Sequence, residues 1–138
     1  MAIKNKLLLS ELKKVISLDK EASKEISWWS RTSKAEFREL NKLGNIYAII
    51  QKDVVGFIRL KEDKRYKQKT SYLEDIYISK KFRGKNFGKK ALKELLKTIN
   101  YKLKIISPLK LQKYYESLGF NAKYIVLEWP QQIKDILL

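Results

Sequence analysis

YLEDIYISKKFRGKNFGKKALKELLKTI, residues Tyr72–Ile99, decides how the rest of the chain is read. Tyr72–Ser79 alternates β-branched and aromatic residues in the manner of a strand. Lys80–Gly88 follows as a basic, glycine-containing loop. Lys89–Asn100 reads as an amphipathic helix, with Ala91, Leu92, Leu95, Leu96 and Ile99 on one face and Lys90, Lys93, Glu94 and Lys97 mostly opposite. The first amides of a helix lack intrahelical partners, and the helix dipole adds partial positive charge there. A strand feeding a helix through such a loop is therefore suited to cradle a phosphate. Lys81, Arg83, Lys85, Lys89 and Lys90 add formal charge around it.

Two spacings sharpen this reading. The loop carries Arg83-x-x-Asn86-x-Gly88, with the apolar Ile78 five residues before the arginine. Downstream stands Tyr114-Tyr115-Glu116-Ser117-Leu118-Gly119-Phe120. The first resembles the pyrophosphate-binding motif of the GNAT superfamily of acyl-CoA-dependent N-acyltransferases, which reads Arg or Gln, two residues, Gly, one residue, then Gly or Ala. The second resembles that family's helix ending in Tyr-x-x-x-Gly-Phe. The chain departs from the pattern at Asn86, where the family has its first glycine, and Asn is among the few residues that tolerate positive φ. The resemblance is specific over about residues 72–120 and architectural elsewhere. It implies an α+β fold, a single GNAT-like domain over residues 1–138, with a mixed, mostly antiparallel central sheet and helices on both faces. Two neighbouring parallel strands would splay at their ends and admit the cofactor's pantetheine arm.

Composition narrows the chemistry. A chain of 138 residues with 44% hydrophobic and 12% aromatic residues supports one globular core. No apolar run approaches the ~18 residues of a membrane span, and Leu7–Leu9 is too short for a signal-peptide core, so the expected compartment is the cytoplasm. There is no Cys and no His, which removes thiol nucleophiles, cysteine metal sites and the commonest general base. Proton chemistry falls to Asp, Glu, Tyr, Lys, a terminus or water. Net charge is +16, and 26 of the 31 basic residues are lysines spread along the chain. Such a surface favours anionic partners, CoA phosphates or nucleic acid. It lacks the clustered stripe of a dedicated nucleic-acid binder, although the charge leaves that partner open.

The flanking segments supply the other elements. Residues 4–18 read as a helix with Leu8, Leu12, Val15 and Ile16 or Leu9 inward, and Ala2-Ile3 as the possible start of a short first strand. Asp19–Ser30 is mixed and carries Ile26, Trp28 and Trp29. Ser33-x-x-Glu36 is a capping box opening a helix through Leu43, with Phe37, Leu40 and Leu43, or Leu40 and the stem of Lys42, towards the core and Gly44 at C′. Asn45–Gln51 and Val54–Leu60 form a hairpin about a Lys52-Asp53 turn, and Lys61–Thr70 is a charged loop. Lys102–Ser107 reads as a short strand, and Pro108 opens a helix at its first position that runs to Leu118 and ends at Gly119. Asn121–Trp129 reads as a strand stopped by Pro130, with a last helical turn in Gln131–Leu138.

The resemblance also assigns roles. It implies acyl transfer from acetyl-CoA, as co-substrate and without a metal, to an amine in a ternary complex. Tyr115, four residues before Gly119, takes the position of the general acid that protonates the departing thiolate; it also shares a helical face with Leu111 and Leu118. Glu74 and Asp75 are the candidate bases, and Leu-Glu-Asp before an aromatic/apolar pair resembles polyamine and small-amine acetyltransferases of the superfamily. Strand alternation separates the two carboxylates onto opposite faces unless a bulge intervenes, and Glu74 is the favoured one. The backbone of Ile76, Tyr77 and Ile78 would bind pantetheine, and Arg83, Gly84, Lys85, Asn86, Phe87, Gly88 and Lys89 the pyrophosphate, mostly through main-chain amides. Trp28 and Trp29 fall where the family lines its acceptor site, as platforms for a cation or as core. The acceptor is an amine-bearing small molecule or a protein N-terminus or lysine. Trp29-Ser30 and the Tyr-Glu-Ser-Leu-Gly-Phe ending also resemble ribosomal-protein N-terminal acetyltransferases. A homodimer is possible, no membrane is implied, and the competing class is a non-catalytic, basic GNAT-like module that binds nucleic acid or an acidic protein.

Overall fold

In the computed structural model, residues 1–123 and Leu127 are described. The chain forms two compact units, residues 1–106 and 107–138. In the first, strands β1 (Ala2–Asn5), β2 (Ile46–Gln51), β3 (Asp53–Glu62), β4 (Thr70–Ile78) and β5 (Lys102–Lys104) form one sheet in that spatial order. The first three pairings are antiparallel and β4–β5 is parallel. Helices α1 (Leu9–Glu25) and α2 (Lys34–Lys42) precede the hairpin, and α3 (Phe87–Thr98) connects β4 to β5.

The sheet is buried on both faces. On one, Leu12, Val15 and Ala22 of α1 and Phe37 of α2 pack with Ile46, Ala48, Phe57 and Tyr77. On the other, α3 buries Ala91, Leu92 and Leu95, the stripe its sequence predicts, and Gly88 at its start lies against Ile76 and Ile78. Ser33 caps α2 by accepting the Glu36 amide at 3.1 Å, and Gly44 follows that helix at φ 77°. Gly56 leaves no room for a side chain: a Cβ there would stand 2.3 Å from the Tyr77 carbonyl oxygen.

The N-terminal segment differs from its sequence reading. Instead of one helix over residues 4–18, β1 pairs with β2, the chain turns at Lys6 (φ 50°), and α1 begins only at Leu9. The Asn41 side chain fixes that turn: its oxygen accepts the Leu7 amide at 2.7 Å and its nitrogen donates to the Leu7 carbonyl at 3.1 Å. Leu8 thereby becomes the exposed N-cap, and Leu9 is also exposed rather than inward. Leu43, expected in the core, is exposed as the C-cap of α2.

In the second unit, Pro108 is the N-cap of a 3-10 turn, Leu109–Leu111, rather than the first residue of a helix. Helix α4 (Gln112–Ser117) follows, and Gly119 beyond its C-cap takes φ 104°. Asn121–Lys123 are not in a strand, and the remainder of the strand and the final turn read from the sequence lie outside the described residues, Leu127 excepted.

Candidate active site

The site is organised by what β5 fails to cover. β4 and β5 share only three rungs, Thr70–Lys102, Ser71–Leu103 and Tyr72–Lys104. β5 then ends while β4 continues to Ile78, so that edge of Leu73–Ile78 has no partner in β5. The pairing of these two neighbouring parallel strands stops there. Ile76 and Ile78 turn their side chains towards the start of α3. Tyr77 turns the other way: its ring packs against Trp29 and Phe57, and its hydroxyl donates to Glu21 at 2.7 Å or Glu25 at 2.8 Å. Burial, then those carboxylates, push the phenol well above its ordinary range. What these three residues offer a ligand at that edge is main chain.

β4 leads into the candidate phosphate loop, residues 79–86. Asn86 is the N-cap of α3 and adopts the left-handed conformation, φ 60° and ψ 23°, that its sequence position requires. The first helical bond runs from the Lys90 amide to the Asn86 carbonyl at 3.0 Å, leaving the amides of Phe87, Gly88 and Lys89 without helical acceptors. Gly84, at φ 80°, makes the second left-handed turn. A Cβ at Gly88 would meet Ile78 at 3.7 Å, an ordinary contact, so the position admits the Gly-or-Ala choice of the motif. Lys81, Lys85, Lys89 and Lys90 are exposed. Bare amides at a positive helix end, ringed by lysines, suit a pyrophosphate.

Arg83 does something else with its side chain. Its Nε donates to the Ile78 carbonyl at 3.1 Å, and its guanidinium forms a fork with Glu25 at the end of α1, NH2 to Oε2 being 2.9 Å. The arginine latches the loop to α1. The guanidinium, then the Tyr77 hydroxyl, hold the Glu25 carboxyl below the usual carboxylate range.

The two candidate bases are brought together. Register passes from Arg59↔Asp75 to Leu60↔Leu73, so Glu74 is the extra residue of a β-bulge. The bulge cancels the strand alternation. Asp75 accepts from Arg59 Nε at 2.7 Å, and Glu74 Oε2 lies 3.9 Å from the same nitrogen. Asp75 is nearly buried, with 9% of its side chain exposed, against 41% for Glu74. Neither carboxylate pairs with a lysine among the described residues.

Arg59, Thr32 and Asp19 extend this cluster, and the sequence reading missed all three. Arg59 donates to the Thr32 hydroxyl, the Thr32 amide donates to Asp19 Oδ2 at 3.1 Å, and Trp29 Nε1 donates to Asp19 Oδ1 at 2.9 Å. Asp19 is fully buried. It pins the connection between α1 and α2, seating Trp29 in the core and leaving Trp28 75% exposed. A sequence signal for Asp19 exists: it falls on the apolar spacing Leu12, Val15, Asp19, Ala22.

Tyr115 lies on α4, half-buried, its ring 6.0 Å from Phe120 and 5.2 Å from Tyr114. Burial and the neighbouring Tyr114 raise its phenol above the ordinary value.

The model of the Acetyltransferase (GNAT) family matches residues 11–120. The chain belongs to the GNAT acetyltransferase family. Glucosamine-6-phosphate N-acetyltransferase from Arabidopsis thaliana is similar in structure, with TM-score 0.63 and 21% identity over 94% of this chain and 97% of that one. An acetyltransferase of Trypanosoma brucei gives TM-score 0.63 and 19% identity over 94% and 98%. AAC(6')-Iy, in complex with the bisubstrate analogue CoA-S-monomethyl-acetylneamine, gives 0.65 and 16% over 94% and 97%. No curated protein sequence is significantly similar to this one. Among the described residues of this GNAT chain, no group of three His, Cys, Asp or Glu could hold a metal, and no helix is long and apolar enough to cross a membrane.

Proposed function

We propose that the chain transfers an acetyl group from acetyl-CoA to a primary amine, on a small molecule or on a protein N-terminus or lysine, while both substrates are bound. One juxtaposition supports the reading: the edge of β4 beyond its last rung with β5 runs into the Asn86 turn and the bare amides of α3. A pantetheine chain laid along that edge hydrogen-bonds to the main chain of Ile76, Tyr77 and Ile78 as an added strand does. The pyrophosphate rests on the turn from Arg83 to Lys89. Bound acetyl-CoA supplies the activated thioester. Glu74, the more exposed carboxylate, takes the proton of the acceptor ammonium, so that the neutral amine forms the C–N bond as the C–S bond breaks. Asp75, held by Arg59, anchors the bulge that presents Glu74. Tyr115 gives its proton to the departing thiolate, a role that rests on its spacing from Gly119. A phenol is protonated at neutral pH, the form an acid needs.

The test is a melting curve with and without acetyl-CoA, followed by thiol release against a panel of amines that includes glucosamine-6-phosphate and neamine. Ligand at ~100-fold over Kd stabilises by about 2.7 kcal/mol, on the order of 10 °C for a domain of this size. That rise, with little from matched inorganic pyrophosphate, is expected. So is loss of turnover in Glu74→Gln and Tyr115→Phe with the rise retained. No rise at millimolar acetyl-CoA overturns the cofactor site; a rise without turnover on any amine overturns the catalytic reading alone.

A further inference from the structure

Positive charge is concentrated at the far end of β4. The connection from β3 to β4 and the start of β5 bring together Lys61, Lys64, Arg65, Lys67, Lys69, Lys102 and Lys104, seven cations against two acids, Glu62 and Asp63. This end is opposite the Asn86 turn along β4, so cofactor phosphates do not account for it. Asp63 is 8% exposed and already engaged, by Arg65 at 2.8 Å and Lys104 at 3.6 Å.

Tyrosine rings lie against three of these cations, two of which, Arg65 and Lys104, also hold Asp63. Lys69 Nζ sits 4.3 Å from the centre of the Tyr101 ring. Lys104 Nζ sits 4.3 Å from that of Tyr66 and 5.5 Å from that of Tyr72. Arg65 lies 5.7 Å from the Tyr66 ring. The Tyr101 face fixes the position of Lys69 and leaves its charge in place. Tyr66 keeps 47% of its surface exposed. Between the Tyr66–Thr70 segment and Asn100–Lys102 runs an open groove of about 720 Å³.

We propose that this groove, walled by the β3–β4 connection and the start of β5, binds single-stranded nucleic acid. Cations along the groove follow the phosphodiester backbone, and the exposed Tyr66 ring offers aromatic surface to a base, the two elements that single-strand sites combine. An acidic peptide would use the cations but not the rings, and that difference separates the two partners.

The test is fluorescence anisotropy of a labelled oligouridylate of about 12 nucleotides on the full chain, read as a function of salt. Reversal of three exposed lysines of the patch, Lys67→Glu, Lys69→Glu and Lys102→Glu, is compared with an equal change of charge elsewhere, Lys13→Glu, Lys20→Glu and Lys34→Glu. The patch variant is expected to lose affinity at least about tenfold and to lower the log–log salt slope by about 2, the control far less. Tyr66→Ala is expected to weaken binding about fivefold at unchanged salt slope. Saturating acetyl-CoA is expected to leave binding in place. Equal losses in the two charge variants would mean bulk attraction only. Displacement by acetyl-CoA would put the RNA on the cofactor loop, and equal affinity for oligoglutamate would reassign the groove to acidic protein. Each of these outcomes overturns the proposal. Circular dichroism of every variant guards against misfolding.

Discussion

Two loops border the candidate site, and they are built on opposite principles. The α1–α2 connection, residues 26–33, is held by buried side chains: Asp19 beneath it, Trp29 in the core and Thr32 on Arg59. The β4–α3 connection, residues 79–86, is largely exposed and is shaped by backbone conformation, left-handed at Gly84 and Asn86, with the Arg83–Glu25 latch to steady it. A loop that must show its own amides to a ligand cannot bury them in side-chain hydrogen bonds. A loop fixed from below by buried groups is free to present side chains such as Trp28 to solvent. The comparison predicts different failures: damage under the first loop costs stability, and damage in the second costs cofactor affinity.

The largest effect expected is at Asp19. Asp19→Ala strips acceptors from the Trp29 indole and the Thr32 amide, both deep in the protein, and a buried donor left unsatisfied costs about 1–3 kcal/mol. Together the two give roughly 3 kcal/mol, or on the order of 10 °C in Tm. Because Thr32 in turn meets Arg59, acceptor turnover should fall further than the shift in acetyl-CoA affinity. If stability falls while the acceptor KM and kcat are both unchanged, the connection is scaffolding and not part of the site.

Asn86 sharpens the other half. Asn86→Gly should leave stability and acetyl-CoA affinity within a factor of two or so, since glycine adopts φ 60° freely. Asn86→Ala asks a Cβ with no local hydrogen-bonding capacity to hold the left-handed region, at about 1 kcal/mol, and should weaken acetyl-CoA about five- to tenfold by tilting the free amides. Isothermal titration of the pair decides: equal affinities would show that the cradle does not depend on this conformation. The same contrast explains what was legible in the sequence. A backbone-encoded feature is local, so Arg83-x-x-Asn86-x-Gly88 announces its turn within six residues, and the α3 stripe of Ala91, Leu92 and Leu95 gives its face directly. The Asp19–Thr32–Arg59–Asp75 chain joins residues far apart in sequence, and no window contains it. The bulge at Glu74 was foreseeable only as a condition on the two carboxylates, because register is set by β3 and not by β4 alone. The start of α1 was misplaced for a similar reason: Asn41, on another helix, ends β1 and turns Leu8 outward.

The smallest effect concerns the latch. Glu25 has its pKa lowered in the folded protein, first by Arg83 and then by Tyr77, from an ordinary value of 4.5. A carboxyl so depressed contributes stability that is fully present above its unfolded pKa and is lost as pH falls through the folded value. The contribution is therefore intact at pH 7 and fades only below about 4.5, and because the pair is exposed its size is modest. Glu25→Gln should lower Tm slightly at pH 7 and progressively less as the Glu25 carboxyl protonates, so the two melting curves converge on acidification. At pH 7 the freed Arg83 should alter acetyl-CoA affinity more than it alters Tm, since the latch sets where the loop sits and the core of α1 does not depend on it. Should the Tm difference between wild type and Glu25→Gln stay constant across that range, Glu25 is not the titrating partner of Arg83, and the loop is held by its backbone turns alone.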